Sequence, residues 1–123
     1  MSVIRGASAP RFELPGVEFT ALAAPSRGSA DICTWKLTVA PTREPDGAHT
    51  LDQDEIFMVL SGSVRATPGG ETLGPGDAVI VPAGDPIQLV NVGTEPAQLY
   101  VAIRSGFVGT MADGTKVTPP WAE

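Results

Sequence analysis

His49 and Glu55 are the two residues whose types and spacing are best suited to chemistry in this chain of 123 residues. His49 is the only histidine, and an imidazole titrates near neutral pH, so it can move protons or bind a metal. A carboxylate in the same short stretch can serve either purpose. The two residues therefore indicate an acid–base pair or part of a metal site.

Two spaced motifs surround this pair. The first starts at His49, continues to Glu55 and ends at Gly62. The second comprises Gly76, Pro82, Gly84, Ile87 and Asn91. The arrangement resembles the two motifs of the cupin family, whose members fold as antiparallel all-β barrels (double-stranded β-helix or jelly roll). The resemblance implies this fold for the chain.

The metal site of the family is incomplete in this sequence. In cupins, three histidines and a glutamate bind one divalent metal, but here Leu51 and Ile87 occupy the second and third histidine positions. Zinc and iron sites generally use at least three protein ligands. We therefore expect no metal cofactor, and any metal that did bind would have His49 and Glu55 as its ligands. Possible substitute donors, none at a family position, are Cys33, Asp52, Gln53 and Tyr100.

Three functions remain open for the His49–Glu55 pair, and we rank them in this order. The first is a metal-independent isomerase, lyase or cyclase that binds a small, largely apolar or carbonyl-bearing molecule. The deoxysugar epimerases (RmlC-like cupins) work without a metal, although their acid–base residues do not map onto this sequence. The second is a binding or sensing module without chemistry. The third is a dioxygenase or isomerase with a reduced metal ligand set. A purely structural pair, in which the two side chains hydrogen-bond each other, is the alternative to all three.

Glycine and proline punctuate the chain so frequently that short strands are favoured over helices. They account for 26 residues (14 glycines and 12 prolines), well above the average share of about 12%. The one window free of both, 48–61, contains a solid apolar block without helical rhythm, which favours a buried strand. We predict strands at Val17–Leu22, Asp31–Ala40, Asp54–Leu60, Ser63–Thr67, Ala78–Val81, Ile87–Val92 and Gln98–Arg104.

Side-chain alternation predicts which residues face the inside of the barrel. If Glu55 points inward, so does Phe57, whereas Ile56, Met58 and Leu60 face outward, where a dimer interface is expected. On the preceding strand, the apolar set that starts at Cys33 should point inward. Alternation leaves open which face of 98–104 turns inward. The predicted pocket-lining residues are Trp35, Leu37, Leu51, Phe57, Ile87, Leu89 and Tyr100.

We divide the chain into an extended N-terminal segment (1–16), the barrel (17–104) and a C-terminal tail (105–123). The tail carries Phe107, Met111 and Trp121 on a chain rich in glycine and proline, so we expect it to pack against something. We favour packing on the outer face of the barrel or on a partner subunit. The alternative is a lid at the barrel mouth, where Met111 or Trp121 would touch ligand.

Composition limits the partners and the compartment. The formal net charge of −6 and the scattered basic residues argue against nucleic acid and anionic membranes. Cys33 is the only cysteine, so no internal disulfide can form, and the first residues lack the apolar run of a secretory signal. We expect a cytoplasmic protein that binds a small molecule, with no nucleic acid and no membrane as partner. The family resemblance implies a homodimer.

Overall fold

The computed structural model describes residues 1–42, 44, 47–67 and 69–123, which form strands joined by turns, with no α-helix among these residues. None of these residues form a helix of the length and apolarity that a bilayer requires. Two short 3-10 turns lie at Pro25–Arg27 and Pro120–Ala122. The strands are β1 (Arg11–Leu14), β2 (Val17–Ala21), β3 (Ile32–Val39), β4 (Thr50–Leu51), β5 (Glu55–Ser61), β6 (Val64–Thr67), β7 (Thr72–Leu73), β8 (Ala78–Val81), β9 (Gln88–Asn91), β10 (Ala97–Arg104), β11 (Gly109–Thr110) and β12 (Lys116–Val117).

These strands form three antiparallel sheets. The largest has six strands in the order β1-β2-β3-β10-β5-β8, and the two smaller sheets have the orders β12-β11-β4 and β7-β6-β9. Strand β10 therefore lies between two strands that precede it by many residues, β3 and β5. Crossover connections of this kind are typical of barrels and jelly rolls, in which the sheets close over one core. The predicted all-β, antiparallel architecture is confirmed.

The seven predicted strands are all present, with ends that differ by one residue or less. The inward face of β3 is the predicted one, since Cys33, Trp35, Leu37 and Val39 are all buried. Glu55, Phe57 and Val59 form the inward face of β5. On β10 the buried set is Leu99, Val101 and Ile103, which resolves the face that alternation left open.

The two ends of the chain are more regular than we predicted. The N-terminal segment contains β1, which pairs with β2 in the register Phe12↔Phe19, so it is an edge strand of the large sheet. The tail contributes β11 and β12, and β11 pairs with β4 through Gly109↔Leu51. Both segments therefore extend the barrel by backbone pairing, although neither has an apolar alternation long enough to predict a strand.

Glycines hold the turns between strands, as the motif spacing predicts. Gly62, Gly76 and Gly84 all have positive φ, a conformation that glycine adopts without strain. Gly62 has a second constraint, because a Cβ atom there would lie 2.8 Å from the Cα atom of Ala97. Asn91 stabilises its own turn, since its side chain accepts the Gly93 N–H and donates to the Glu95 carbonyl.

The outward face of β5 and its neighbours carries an exposed apolar surface. Ile56 pairs with Ile80 of β8, and Met58 pairs with both Ala78 and Tyr100. Ile80 is 65% exposed, and Met58, Leu60 and Tyr100 are exposed as well. Contiguous exposed apolar surface of this kind often marks an interface between proteins. The homodimer stays a prediction, as does the cytoplasmic location, and this face is where we expect the dimer to form.

We predict that Ile80→Glu shifts the protein from dimer to monomer, because a buried, unpaired carboxylate at the centre of an apolar interface is costly. Light scattering coupled to size-exclusion chromatography measures the mass directly. Val92→Glu, which adds the same charge at an exposed apolar residue in the turn after β9, is the matched control and should stay dimeric. A monomeric wild type, or a dimer that survives the Ile80 substitution, would contradict the prediction.

Candidate functional site

His49 is positioned by a short backbone bridge across the barrel. Its N–H donates to the carbonyl of Ile87 at 3.1 Å, and the Ile87 N–H donates to the His49 carbonyl at 2.8 Å. The residues that occupy the first and third histidine positions of the family motifs are therefore side by side. His49 is half-buried and lines the main cavity, whereas the Ile87 side chain is almost fully buried and presents an aliphatic surface at the same place.

Glu55 begins β5 and is held between two strands, opposite Ile103 of β10 and Val81 of β8. It is only 5% exposed, and its Oε1 atom has no hydrogen-bond partner among the described residues. Burial therefore raises the pKa of this carboxyl from 4.5 to about 8, because water no longer stabilises the charged form. The carboxyl is mostly protonated at neutral pH, and so it can donate a proton.

A cavity of about 590 Å³ lies inside the barrel and contains both residues. This volume falls in the range of about 300–1,000 Å³ that is typical of small-molecule sites. Of the predicted site residues, eight line the cavity. They are Trp35, Leu37, His49, Leu51, Glu55, Phe57, Ile87 and Leu89. Alternation along β3 and β5, together with the family motifs, was sufficient to identify them.

Tyr100 is the exception, and the prediction that it lines the pocket is wrong. It lies on the outward face of β10, is 38% exposed and is not among the residues that line the cavity. The reason is that Leu99 and Val101 on either side of it are fully buried in the core, so Tyr100 must point the other way.

The tail closes one end of the cavity, contrary to the packing that we favoured. Met111 and Trp121 both line the cavity. The Trp121 ring stacks on Phe19 with centroids 3.7 Å apart and meets the edge of Trp35 at 6.4 Å. The lid alternative therefore describes the structure better, because Met111 and Trp121 line the cavity and Trp121 packs on the inward-facing rings of Phe19 and Trp35.

The N-terminal segment and β2 contribute to the cavity, which the sequence patterns did not predict. Phe12, Leu14 and Phe19 all line it. Phe12 and Leu14 are two residues apart, as same-face residues of a strand must be, and Phe19 lies in a predicted strand. The alternation was therefore present, but the segment 1–16 contained too short an apolar pattern to be assigned to the barrel.

Unsatisfied polar groups are concentrated around this cavity. Four buried side-chain atoms lack a hydrogen-bond partner within the described part of the chain. Three of them, Trp35 Nε1, Glu55 Oε1 and Trp121 Nε1, belong to residues that line the cavity. Buried polar groups are nearly always paired in folded proteins, so a cluster of exceptions at one place points to function rather than to stability.

The residues around Glu55 do not fit a divalent metal held by the protein. Within residues 1–42, 44, 47–67 and 69–123, no group of three or more His, Cys, Asp and Glu side chains could hold an ion. Leu51 and Ile87 line the cavity at the family ligand positions and offer no donor atom. Two of the substitute donors are engaged elsewhere, since Asp52 Oδ1 accepts the Val108 N–H and Cys33 Sγ contacts the Ala122 carbonyl at 3.3 Å. The absence of a metal cofactor stays a prediction.

Solved structures with the same fold include several small cupins, whereas no curated protein sequence matches the chain. The polyketide cyclase RemF from Streptomyces resistomycificus superposes with a TM-score of 0.74 at 18% identity, over 85% of this chain and 79% of that one. KdgF from Halomonas sp. superposes with a TM-score of 0.71 at 16% identity, over 84% of this chain and 94% of that one. A sugar phosphate isomerase of the cupin superfamily from Silicibacter pomeroyi superposes with a TM-score of 0.64 at 23% identity, over 88% of this chain and 80% of that one.

At these identities the similarities establish the fold, and they confirm the predicted cupin barrel. The family itself is established by sequence, because the model of the cupin domain matches residues 35–103, more than half of the chain. That match spans β3 to β10 and includes His49, Glu55, Leu51 and Ile87. The chain therefore belongs to the cupin domain family.

Proposed function

We propose that the protein binds a small, largely apolar, carbonyl-bearing molecule in the barrel and isomerises, cyclises or eliminates it by acid–base chemistry without a metal. The observation that carries the proposal is the buried Glu55 carboxyl, whose pKa is raised to about 8. A carboxylic acid that stays protonated at neutral pH is a general acid, and its pKa is well matched to proton transfer near that pH.

The chemistry requires one proton donor and one acceptor on the same substrate. Glu55 donates its proton to the carbonyl oxygen, while an imidazole nitrogen of His49 removes a proton from the neighbouring carbon, so that an enol forms. In a substrate whose enol is conjugated with a C=C bond, return of the His49 proton to the far end of that bond, with return of the enol proton to Glu55, gives an isomer and restores both side chains. If the substrate instead carries a leaving group on the carbon beyond the deprotonated one, the enol expels that group as its own proton returns to Glu55, and His49 gives its proton to the departing group, which completes an elimination.

The apolar lining supports this role through its effect on electrostatics. Leu51, Phe57 and Ile87 exclude water from the neighbourhood of Glu55, which keeps the acid neutral until a substrate oxygen reaches it. In a dry site, a hydrogen bond to an oxygen that develops negative charge also stabilises the transition state more than it would in water. Two of the structures with the same fold are named as a cyclase and an isomerase, which are reaction classes of the proposed kind.

A binding or sensing module without chemistry is the second candidate. It is favoured by the same cavity, which could hold a ligand whether or not a proton moves. A metal-dependent dioxygenase or isomerase with a reduced ligand set is the third candidate. It is disfavoured because no group of three or more His, Cys, Asp and Glu side chains in the described part of the chain could hold an ion. Catalysis and binding differ in what they require of Glu55, because binding alone needs shape and only catalysis needs the transferable proton.

We predict that the protein catalyses deuterium exchange at the carbon next to the carbonyl group of aryl and alkyl ketones in D2O. Glu55→Gln and His49→Ala should each slow this exchange by roughly a hundredfold or more, the usual contribution of a positioned acid or base. Proton NMR of a ketone panel measures the exchange. Glu71→Gln, which removes an exposed carboxyl elsewhere, is the matched control and should exchange at the wild-type rate.

Two results would contradict this proposal. If both site variants exchange at the wild-type rate while remaining folded, the pair is not catalytic. If no ketone exchanges but several bind with affinities that depend on Leu51 and Phe57, the non-catalytic module describes the protein better. Circular dichroism of each variant confirms that the fold is retained.

The raised pKa of Glu55 also predicts how stability depends on pH. Because the folded state holds a proton that the unfolded state releases, this group favours folding below about pH 4.5, and the advantage is lost as pH rises to about 8. At pH 7 the free energy of unfolding is lower than at pH 4.5 by on the order of 3 kcal/mol through this group. Glu55→Gln cannot titrate, so its free energy of unfolding should rise relative to that of the wild type across this window.

Urea denaturation at several pH values measures this difference. The gap between Glu55→Gln and wild type should widen between about pH 5 and pH 8 and become constant above that range. Glu71→Gln controls for the loss of a surface carboxyl. A gap that does not change with pH would show that Glu55 is ionised in the folded protein at neutral pH, and the general-acid role would then be lost.

A further inference from the structure

We propose that the cavity selects an uncharged, planar aromatic or conjugated ketone, whose ring lies against an aromatic wall formed by Phe12, Phe19, Trp35 and Trp121. This inference rests on the proposed function and specifies its substrate class. The chain contains seven aromatic residues (four Phe, two Trp and one Tyr), and the wall together with Phe57 places five of them around one cavity. Leucine and isoleucine would provide apolar surface equally well, so this concentration indicates a preference for rings.

The four rings of the wall form one connected cluster. Trp121 stacks on Phe19 at 3.7 Å with nearly parallel planes, which leaves its opposite side to other contacts. It also meets Trp35 edge-on at 6.4 Å and Phe12 at 6.2 Å with a tilt of 58°. Tilted and edge-to-face contacts such as the last two stabilise aromatic pairs beyond simple burial. A planar ligand can add one more ring to such a cluster, whereas a saturated ligand cannot reproduce these contacts.

The wall is held in place from both ends of the chain. Phe12 and Phe19 face each other across the β1–β2 ladder. The C-terminal residues are fixed by side chains of the barrel, because Ser26 Oγ donates to the Glu123 carbonyl at 2.5 Å and Cys33 Sγ donates to the Ala122 carbonyl. A surface that is already rigid loses little conformational entropy when a ligand binds, so its contacts contribute more fully to affinity.

The aromatic lining continues from the wall to the acid–base pair. Trp35 of β3 and Phe57 of β5 both pair with Val101, so they flank it on the inward face of the sheet. Phe57 is two residues from Glu55 and shares its face. A ring system lying along these side chains would have one edge at Trp121 and the other near Glu55 and His49, where the ketone oxygen is required.

The charges of the cavity indicate that the ligand is uncharged. Among the residues that the structure describes, none of those lining the cavity is lysine or arginine, and the ionisable ones are Glu13, His49 and Glu55. A phosphate or carboxylate ligand would lose its hydration without gaining a lysine or arginine partner among the described lining residues, which is unfavourable. The exposed Glu13 at the edge of the cavity adds repulsion of anions. Sugar phosphates are therefore disfavoured as ligands of this chain.

Calorimetric titration of the full chain with three matched probes tests the inference. The probes are acetylnaphthalene, its ring-saturated counterpart acetyldecalin, and naphthyl phosphate. Acetylnaphthalene should bind roughly 2 to 10 times more tightly than acetyldecalin, the factor expected from one or two aromatic contacts. Naphthyl phosphate should show no measurable heat of binding. Because both tryptophans line the cavity, a change in their fluorescence provides an independent readout with acetyldecalin, which does not absorb in their range.

Variants of the wall show whether it is the source of the preference. Trp121→Leu should reduce the ratio of the two ketone affinities towards one, whereas Trp121→Phe, which keeps a ring and guards against a simple loss of folding, should retain most of it. Tyr100→Leu removes an exposed aromatic residue outside the cavity and should leave both affinities unchanged.

The outcomes separate this inference from the proposed function. Equal affinities for the two ketones would overturn the preference for rings, yet they would leave deuterium exchange by Glu55 and His49 untouched. Tighter binding of naphthyl phosphate, or no binding of either ketone, would overturn the assignment of an uncharged aromatic ligand. If the protein catalyses no deuterium exchange but still binds acetylnaphthalene more tightly than acetyldecalin, the acid–base chemistry is contradicted and the ligand class is retained.

Discussion

The pairing of β10 with both β3 and β5 is the constraint on which the site depends. Ile103 of β10 lies opposite Cys33 on one side and Glu55 on the other, and Val101 lies between Trp35 and Phe57. Because register in a sheet cannot slip by one residue without turning every side chain over, these pairings keep Glu55 and both aromatic residues on the inward face. The carboxyl is thus desolvated by the core that holds the barrel together.

Leu51 and Ile87, which occupy two of the metal-ligand positions of the family, account for the raised pKa of the Glu55 carboxyl. A divalent cation beside Glu55 would stabilise its carboxylate and hold its pKa low. Leu51 and Ile87 supply neither charge nor donor atoms, and they exclude water, so the pKa of the same carboxyl is raised instead. On the proposed function, Leu51 and Ile87 therefore favour proton transfer at Glu55 without a metal. A purely structural pairing of His49 and Glu55 accounts less well for the site, because Oε1 of Glu55 remains without a partner among the described residues.

Much of the barrel could be predicted from the sequence because its interior strands alternate cleanly. Glycine and proline mark their ends, and the buried residues of β3 and β5 occur at every second position. Tyr100 was misplaced although the face that it shares with Gln98 and Arg104 is the more polar one, and pairing with β3 and β5 buries the opposite face, which carries Leu99, Val101 and Ile103. The roles of β1 and the tail depend on contacts between residues far apart in sequence, such as Trp121 with Phe19, which no local pattern can reveal.

The positions of those long-range contacts suggest how one barrel acquires its specificity. The part of the chain that matches the cupin domain, residues 35–103, supplies the acid–base pair and most of the sheet. Three of the four aromatic-wall residues, Phe12, Phe19 and Trp121, lie outside it. Strand β1, which carries Phe12, is an edge strand of the large sheet, and Trp121 lies in a 3-10 turn outside the sheets, so these two residues can change with less effect on the paired core than Phe19 of β2. If the proposed function and ligand class are correct, chemistry and ligand selection are carried by different parts of this chain, and substitutions in the wall should alter which molecule binds without altering the pKa of Glu55.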